Sequence, residues 1–324
     1  MHNRYDDMYE AATRYYVQGE TMELIARTLR MSRSSVSRLL ADARSSGMVR
    51  ISIDARQGSA SPIARALTTM FNVRVHLAQV GDALPATARL ERVSRLAAAV
   101  LRDTVADNSL IGVAWGATLS NIMPFLDHRP LIESTVVQMN GGTNIGDTSA
   151  RHVAGILQEM AKAFEAQIVQ FPVPAFFDYA ATKQAMWRER SVRFVRNLQS
   201  ELDVAIFGIG AINGRIPSHV YTAGFLDESE LRALKAQRVV GDVCTVLLRQ
   251  DGSWEDIELN ERASGLTPPE LQRIRCRIGV VGDPSRASAL LGALRANTIT
   301  DLVCDDVTAR RVAELVEAEA TRRF

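Results

Sequence analysis

The chain has 324 residues, 47% of them hydrophobic and 23% charged, with a formal net charge of +1. This length exceeds a lone DNA-binding module and fits roughly two domains, and the composition is that of an ordinary soluble globular protein. The near-zero charge excludes a protein that is basic all over, yet residues 24–56 hold seven Arg against Asp42 and Asp54, a basic patch confined to one small module.

In chain order, Asp6 to Gln18 read as a first helix with Met8, Ala11, Ala12, Tyr15 and Tyr16 on one side, ended by Gly19. Thr21 to Leu40, TMELIARTLRMSRSSVSRLL, then reads as a DNA-binding helix-turn-helix. Met22, Ile25, Ala26 and Leu29 recur at helical spacing, Arg30-Met31-Ser32 is the break, and Val36, Leu39 and Leu40 form the second apolar face. Ser32 is a good N-cap, since its hydroxyl can accept from a free amide of the first turn. The outward residues of the second helix, Arg33, Ser34, Ser35, Ser37 and Arg38, are guanidinium and hydroxyl types that read base edges and clamp phosphates in the major groove. Ser32, Arg44 and Arg50 join them as candidate contacts to double-stranded operator DNA. Gly47 stops the helix, and residues 48–53 alternate like a short strand, as in a winged or strand-appended variant. The small, polar stretch around residue 60 is the best linker, giving a helix-turn-helix domain at 1–56, a linker at 57–61 and a second domain at 62–324.

Beyond the linker, short apolar runs alternate with helical ones. Strands are expected at 73–80, 110–114, 134–139, 167–171, 204–209, 243–248, 277–281 and 300–304. Helices are expected at 86–104, 119–126, 150–163, 180–199, 228–236, 285–295 and 307–322. This alternation implies an α/β domain with a mostly parallel sheet covered by helices on both faces, following the small all-α domain. Cys244, Cys276 and Cys304 are far apart in apolar runs without metal-ligand spacing, so buried reduced thiols are expected and no metal. No apolar run reaches the ~18 residues of a membrane span. The N-terminus lacks a signal-peptide core, so a cytoplasmic location is expected.

Ligands of such sheets sit outside the carboxyl ends of the strands. Three loops there stand out. Residues 111–118 (IGVAWGAT) place Gly116, Ala117 and Thr118 at a helix start, where backbone amides and a hydroxyl can meet an anion. Residues 137–144 (VQMNGGTN) place Gly141, Gly142, Thr143 and Asn144 after the next strand. Residues 206–214 carry Gly208-x-Gly210, but the third glycine of a dinucleotide fingerprint is one position late and no helical run follows. Three such loops in one domain point to a small-molecule pocket.

The N-terminal pattern, joined to IGVAWGATL, VVQMNGG, DVAIFGIGA, AGFL, VGDV and the C-terminal DDVTAR, resembles the SorC/DeoR-type bacterial sugar-responsive transcriptional regulators over essentially the whole chain. The resemblance implies a Rossmann-like effector domain of the ribose-5-phosphate isomerase and glucosamine-phosphate deaminase type. It also implies a small sugar, sugar phosphate or polyol effector and a homo-oligomer, commonly a tetramer. Carried over by position, it points to Gly116 to Thr118 and Gly141 to Asn144 as effector loops, and to Asp242 as a carboxylate facing sugar hydroxyls. Arg286 falls where family members usually carry a phosphate-binding Lys, and Asn260 and Arg262 match an N-x-R pattern near the pocket.

Two departures matter. Gly282-Asp283 replaces a Gly-Gly pair, and the extra negative charge makes an unphosphorylated sugar or polyol a serious option. The only lysines are Lys162, Lys183 and Lys235, and Asn140 precedes Gly141, which argues against a Schiff base. The alternative is a sugar-phosphate isomerase or deaminase fused to the DNA-binding domain. Such an enzyme needs a positioned base, but apolar Ala205 to Ala211 stand where those isomerases carry acidic groups. Of the five histidines only His152 lies near a candidate loop. No catalytic motif and no cofactor are indicated, so a non-enzymatic regulator is expected.

Overall fold

The computed structural model describes residues 4–49, 61–81, 84–142, 147–215, 218–222 and 224–322. The chain forms two compact units, Met1–Ser59 and Ala60–Phe324.

In the first unit, helix Arg4–Ala12 runs on into a π-helical turn at Thr13–Val17. Gly19, at φ +71°, releases the chain from it. Helix Met22–Thr28 starts on Thr21, whose side chain accepts from the Leu24 amide at 3.3 Å. Helix Arg33–Ser45 starts on Ser32, whose hydroxyl accepts from the Ser35 amide at 3.1 Å. Ala11, Ala12, Ile25, Val36, Leu39, Leu40 and Ala43 form the small core, with Tyr15, Tyr16 and Leu29 packed around it. Met48 and Val49 pack there as well, and the rest of the expected strand lies outside the described residues, as does most of the expected linker.

The second unit is built on strands β1 (Arg74–Ala78), β2 (Leu110–Val113), β3 (Thr135–Gln138), β4 (Gln167–Val169), β5 (Val204–Ala211), β6 (Val239–Val243), β7 (Val246–Arg249), β8 (Cys276–Val281) and β9 (Asp301–Asp305). Seven run in the order β1-β9-β8-β5-β2-β3-β4, every neighbouring pair parallel. Central strands of such a sheet are covered on both faces and need no polar alternation. Accordingly β8 and β9 are buried throughout. One face, carrying Ile111, Ile206 and Val303, packs on Val93, Ala97 and Leu101 of helix Ala86–Thr104. The opposite face, carrying Val137, Phe207 and Leu302, packs on Leu290 and Leu294 of helix Ala287–Arg295.

Several elements depart from the sequence expectation. The run expected as one strand at 243–248 is a hairpin: β6 pairs antiparallel with both β5 and β7, and the chain reverses at Cys244 (φ +51°) and Thr245 (φ +69°). The helix expected at 180–199 is two, Ala180–Met186 and Arg190–Ser200. Between them Trp187 turns inward to meet Phe171 and Phe177, with ring centroids 5.8 and 5.6 Å away. A helix not anticipated, Pro62–Phe71, starts with proline at its first turn, where the missing amide costs nothing.

β5 sits at the pivot of this topology. From β2 the chain moves outward through β3 to β4, and from β5 it moves the other way to β8 and β9. The carboxyl ends of β2 and β5 therefore flank the switch point, the place where open α/β sheets leave a crevice.

Candidate functional site

A cleft of about 500 Å³ including its mouth opens at that crevice. Its walls are residues 114–119 after β2, Asn140 after β3, Gly208 to Gly210 within β5, Ser218 and Val220, the hairpin residues Asp242, Cys244 and Thr245, and Arg286. Gly116, Ala117, Thr118, Asp242 and Arg286, five residues singled out from sequence, thus come together. Gly141 and Gly142 do not line the cleft.

The glycines of β5 are explained by close approach. A Cβ on Gly208 would lie 2.9 Å from Thr118 Oγ1, and one on Gly210 only 1.8 Å from Asp242 Oδ1. The G-x-G pattern therefore seats two cleft residues against the strand. A Cβ on Gly141 would meet the carbonyl oxygens of Val173 and Pro174 at 2.3 Å. Gly141 is pinned further, its oxygen accepting from Trp115 Nε1 at 2.8 Å and its amide donating to Ser264 Oγ at 3.0 Å.

Asp242 is buried, and its two oxygens accept from Tyr221 Oη at 2.9 Å and from the Thr245 amide at 3.1 Å. Burial raises its pKa above the ordinary carboxylate value, opposed by those two hydrogen bonds and by the Arg286 charge. Burial likewise holds the Tyr221 hydroxyl well above its usual value, so it stays a donor. The bond to Thr245 also fixes the hairpin turn, which places two non-glycine residues in the left-handed region. Such strain persists where surrounding structure over-determines it, and it clusters at binding sites.

Arg286 is buried too, with Nη1 donating to the Ile209 carbonyl at 2.6 Å and to Ser218 Oγ at 3.1 Å, and Nε 4.0 Å from Asp283 Oδ2. Burial lowers its pKa while Asp283 and Asp242 pull it back up. Asp283 caps the turn that carries Arg286, accepting from the Ser285 amide at 2.9 Å.

Two residues drawn from the N-x-R pattern do not reach the cleft. Asn260 braces β7, accepting from the Leu247 amide at 2.7 Å and donating to the Leu247 and Trp254 carbonyls at 3.0 and 2.8 Å. Arg262 pairs with Glu230 and donates to the Phe177 carbonyl at 3.1 Å. His152 bonds Ser120 Oγ at 3.1 Å and does not line the cleft. Thr143 and Asn144 lie outside the described residues. Asn140, Ser218, Tyr221 and Thr245 were not singled out from sequence. Asn140 carried one signal, its place directly before the glycine pair.

In the first unit, helix Arg33–Ser45 exposes Arg33, Ser34, Ser37, Arg38 and Arg44, while Val36, Leu39, Leu40 and Ala43 are buried. Ser32 and Ser35 are tied to the cap, their hydroxyls 2.8 Å apart. Arg33 meets Glu23 at 3.2 Å with both side chains largely exposed, a pairing weak enough to release the guanidinium to another anion. Arg50 lies outside the described residues.

Residues 58–314 match the family model described as "Putative sugar-binding domain". The chain is 28% identical to the deoxyribonucleoside regulator of Bacillus subtilis (strain 168), over 93% of this chain and 95% of that protein. A domain of "a possible sugar-binding transcriptional regulator" from Arthrobacter aurescens TC1 is similar at 42% identity and a TM-score of 0.73, covering 80% of this chain and 99% of that one. The full-length sorbitol operon regulator SorC of Klebsiella pneumoniae shares the fold, with 24% identity, a TM-score of 0.79, and coverage of 96% of this chain and 99% of that one.

Proposed function

Because the chain belongs to the SorC/DeoR-type family of sugar-binding transcriptional regulators, we propose that it is a bacterial DNA-binding regulator whose operator binding is set by a small sugar, sugar phosphate or polyol in the cleft between the ends of β2 and β5. Residues 1–56 are the DNA-binding domain in this reading, 57–61 the linker and 62–324 the effector domain. Arg33, Ser34, Ser37 and Arg38 face the operator groove, Arg44 and Arg50 its phosphates, and Gly116 to Thr118, Asp242 and Arg286 the effector. The protein works as a cytoplasmic homo-oligomer, a tetramer in the family pattern, because two-fold operators need paired reading helices at fixed spacing.

The observation that carries this reading is the convergence of a buried carboxylate and a buried guanidinium, Asp242 and Arg286, at the switch point. A regulator suits it better than an enzyme. Asp242 aside, the described lining offers no carboxylate or imidazole to share the work of acid and base. Thermal melting of the full chain with a panel of sugars, polyols and their phosphates tests the assignment, since a ligand that binds only the native state must raise the midpoint. No shift across the panel would remove it.

A further inference from the structure

We propose that the cleft selects an unphosphorylated polyhydroxyl ligand and that the Asn140 carboxamide reads a pair of adjacent hydroxyls on it. The proposal rests on reading the cleft as the effector site.

Asn140 is 2% exposed and lines the cleft at the carboxyl end of β3. Its Oδ1 has no hydrogen-bond partner among the described residues. The backbone around it is committed, with the Asn140 carbonyl accepting from Gln138 Nε2 at 2.7 Å. A buried polar atom left unpaired is costly, and native proteins keep few of them outside sites that await a partner. A carboxamide presents an acceptor and a donor side by side, so it can accept from one hydroxyl and donate to the next. A polyol or open sugar chain offers that pair on neighbouring carbons.

The charges point the same way. Arg286 is the one cation lining the cleft among the described residues, and two carboxylates, Asp242 and Asp283, attend it. Its Nη1 is occupied by the Ile209 carbonyl and Ser218. A phosphate dianion would enter a poorly solvated site whose one described cation already faces Asp242 in the lining and Asp283 at 4.0 Å, so little positive charge is left to offset it. Hydroxyl groups bring no charge. Asp242 can take them directly, because each oxygen, having accepted one hydrogen bond, keeps further acceptor capacity.

The test measures binding to the full chain by melting and by titration calorimetry. Its probes are erythritol, ribitol, sorbitol and ribose, the terminal phosphate of each, and inorganic phosphate. At least one parent compound is expected to bind about tenfold or more tightly than its own phosphate, because burying an uncompensated charge costs more than a lost hydroxyl contact. Asn140→Leu, close in shape and without the amide, should weaken that binding about tenfold while leaving the ligand-free midpoint unchanged or raised. Asn140→Ala gives the same readout should the leucine not fit. Tighter binding of a phosphate overturns the neutral-ligand proposal and leaves the effector reading standing. Undiminished binding in both Asn140 variants overturns the role of Asn140. Silence from every probe overturns the proposal together with the reading beneath it.

Discussion

Gly210 stands directly opposite Asp242 in the antiparallel pair of β5 and β6, and a Cβ on Gly210 would fall 1.8 Å from Asp242 Oδ1. The carboxylate thus rests on the backbone of the central strand at the point where that strand leaves the parallel sheet. Gly210→Ala is expected to push Asp242 off Tyr221 and the Thr245 amide. Overpacking of this kind costs about 1–3 kcal/mol. Effector affinity should fall while unfolding stays cooperative, which urea melts with and without effector would register. An alanine variant with normal affinity would show that the carboxylate position is immaterial.

The raised pKa of Asp242 has a sign that can be checked. Because the folded value lies above the unfolded one, protonation favours the folded state, so the group adds stability at low pH and loses it as pH rises through the folded value. Effector binding runs the opposite way, since the ionised carboxylate is the better acceptor and protonation removes it. As pH falls through the raised value, affinity should drop while this contribution to stability grows. Asp242→Asn should bind effector about tenfold more weakly, flatten both pH dependences and stay within about 1 kcal/mol of wild-type stability at neutral pH. Calorimetric titrations and melts over a pH series measure each.

On the DNA side, Arg33→Ala and Arg38→Ala are expected to weaken operator binding by about 1–3 kcal/mol each where the guanidinium reads a base. Both residues are exposed and stability should move by less than about 0.5 kcal/mol. Ser32→Ala acts differently: it removes the cap to the Ser35 amide and should destabilise the first unit by about 1 kcal/mol. Fluorescence anisotropy on an operator duplex at fixed salt, beside thermal melts, separates the two effects.

Asp301 on β9 takes a bidentate pair from Arg74 on β1 at 2.7 and 2.8 Å, with His76 Nε2 at 3.2 Å and Thr300 Oγ1 at 2.9 Å. Burial pushes its carboxyl upward, but the bonds from His76, Arg74 and Thr300 prevail and hold it well below the carboxylate range. Stability from this clamp is therefore present above the ordinary unfolded value, near pH ~4, and is lost as pH falls through the folded one. Asp301→Asn should cost about 1–2 kcal/mol at pH 7, because Arg74 is largely exposed and stays solvated without its partner, and the gap to wild type should narrow in acid. A constant gap from pH 7 to pH 2 in urea melts would refute the clamp.

How far the sequence could be read depended on which forces shaped each segment. Strands such as β8, buried on both faces, announce themselves as apolar runs, and helix Arg33–Ser45 carries its cap and its two faces in local spacing. The hairpin of β6 and β7 was hidden because Cys244 and Thr245 adopt positive φ without the Gly or Asn that normally marks such a turn. The break at Trp187 was hidden for a related reason, because aromatic packing on Phe171 and Phe177, with no proline or glycine, ends that helix. Cleft residues placed by motif, Asp242 and Arg286, came together. Asn260 and Arg262, matched on a short pattern alone, turned out to brace β7 and a surface loop. Asn140 showed in sequence only its place directly before the glycine pair, since its distinguishing property is a hydrogen bond that the described residues do not supply.

In the proposed mechanism, occupancy of the cleft controls operator binding by helix Arg33–Ser45. The direct measurement is the operator affinity of the full chain at one salt concentration, with and without the compound that most raises its melting midpoint, for wild type and Asp242→Asn. Coupling of the usual size predicts a change of about 5-fold or more in wild type, and a clearly smaller one in the variant at an effector concentration near the wild-type Kd. A compound that stabilises the wild-type protein yet leaves its operator affinity unchanged would contradict the claim.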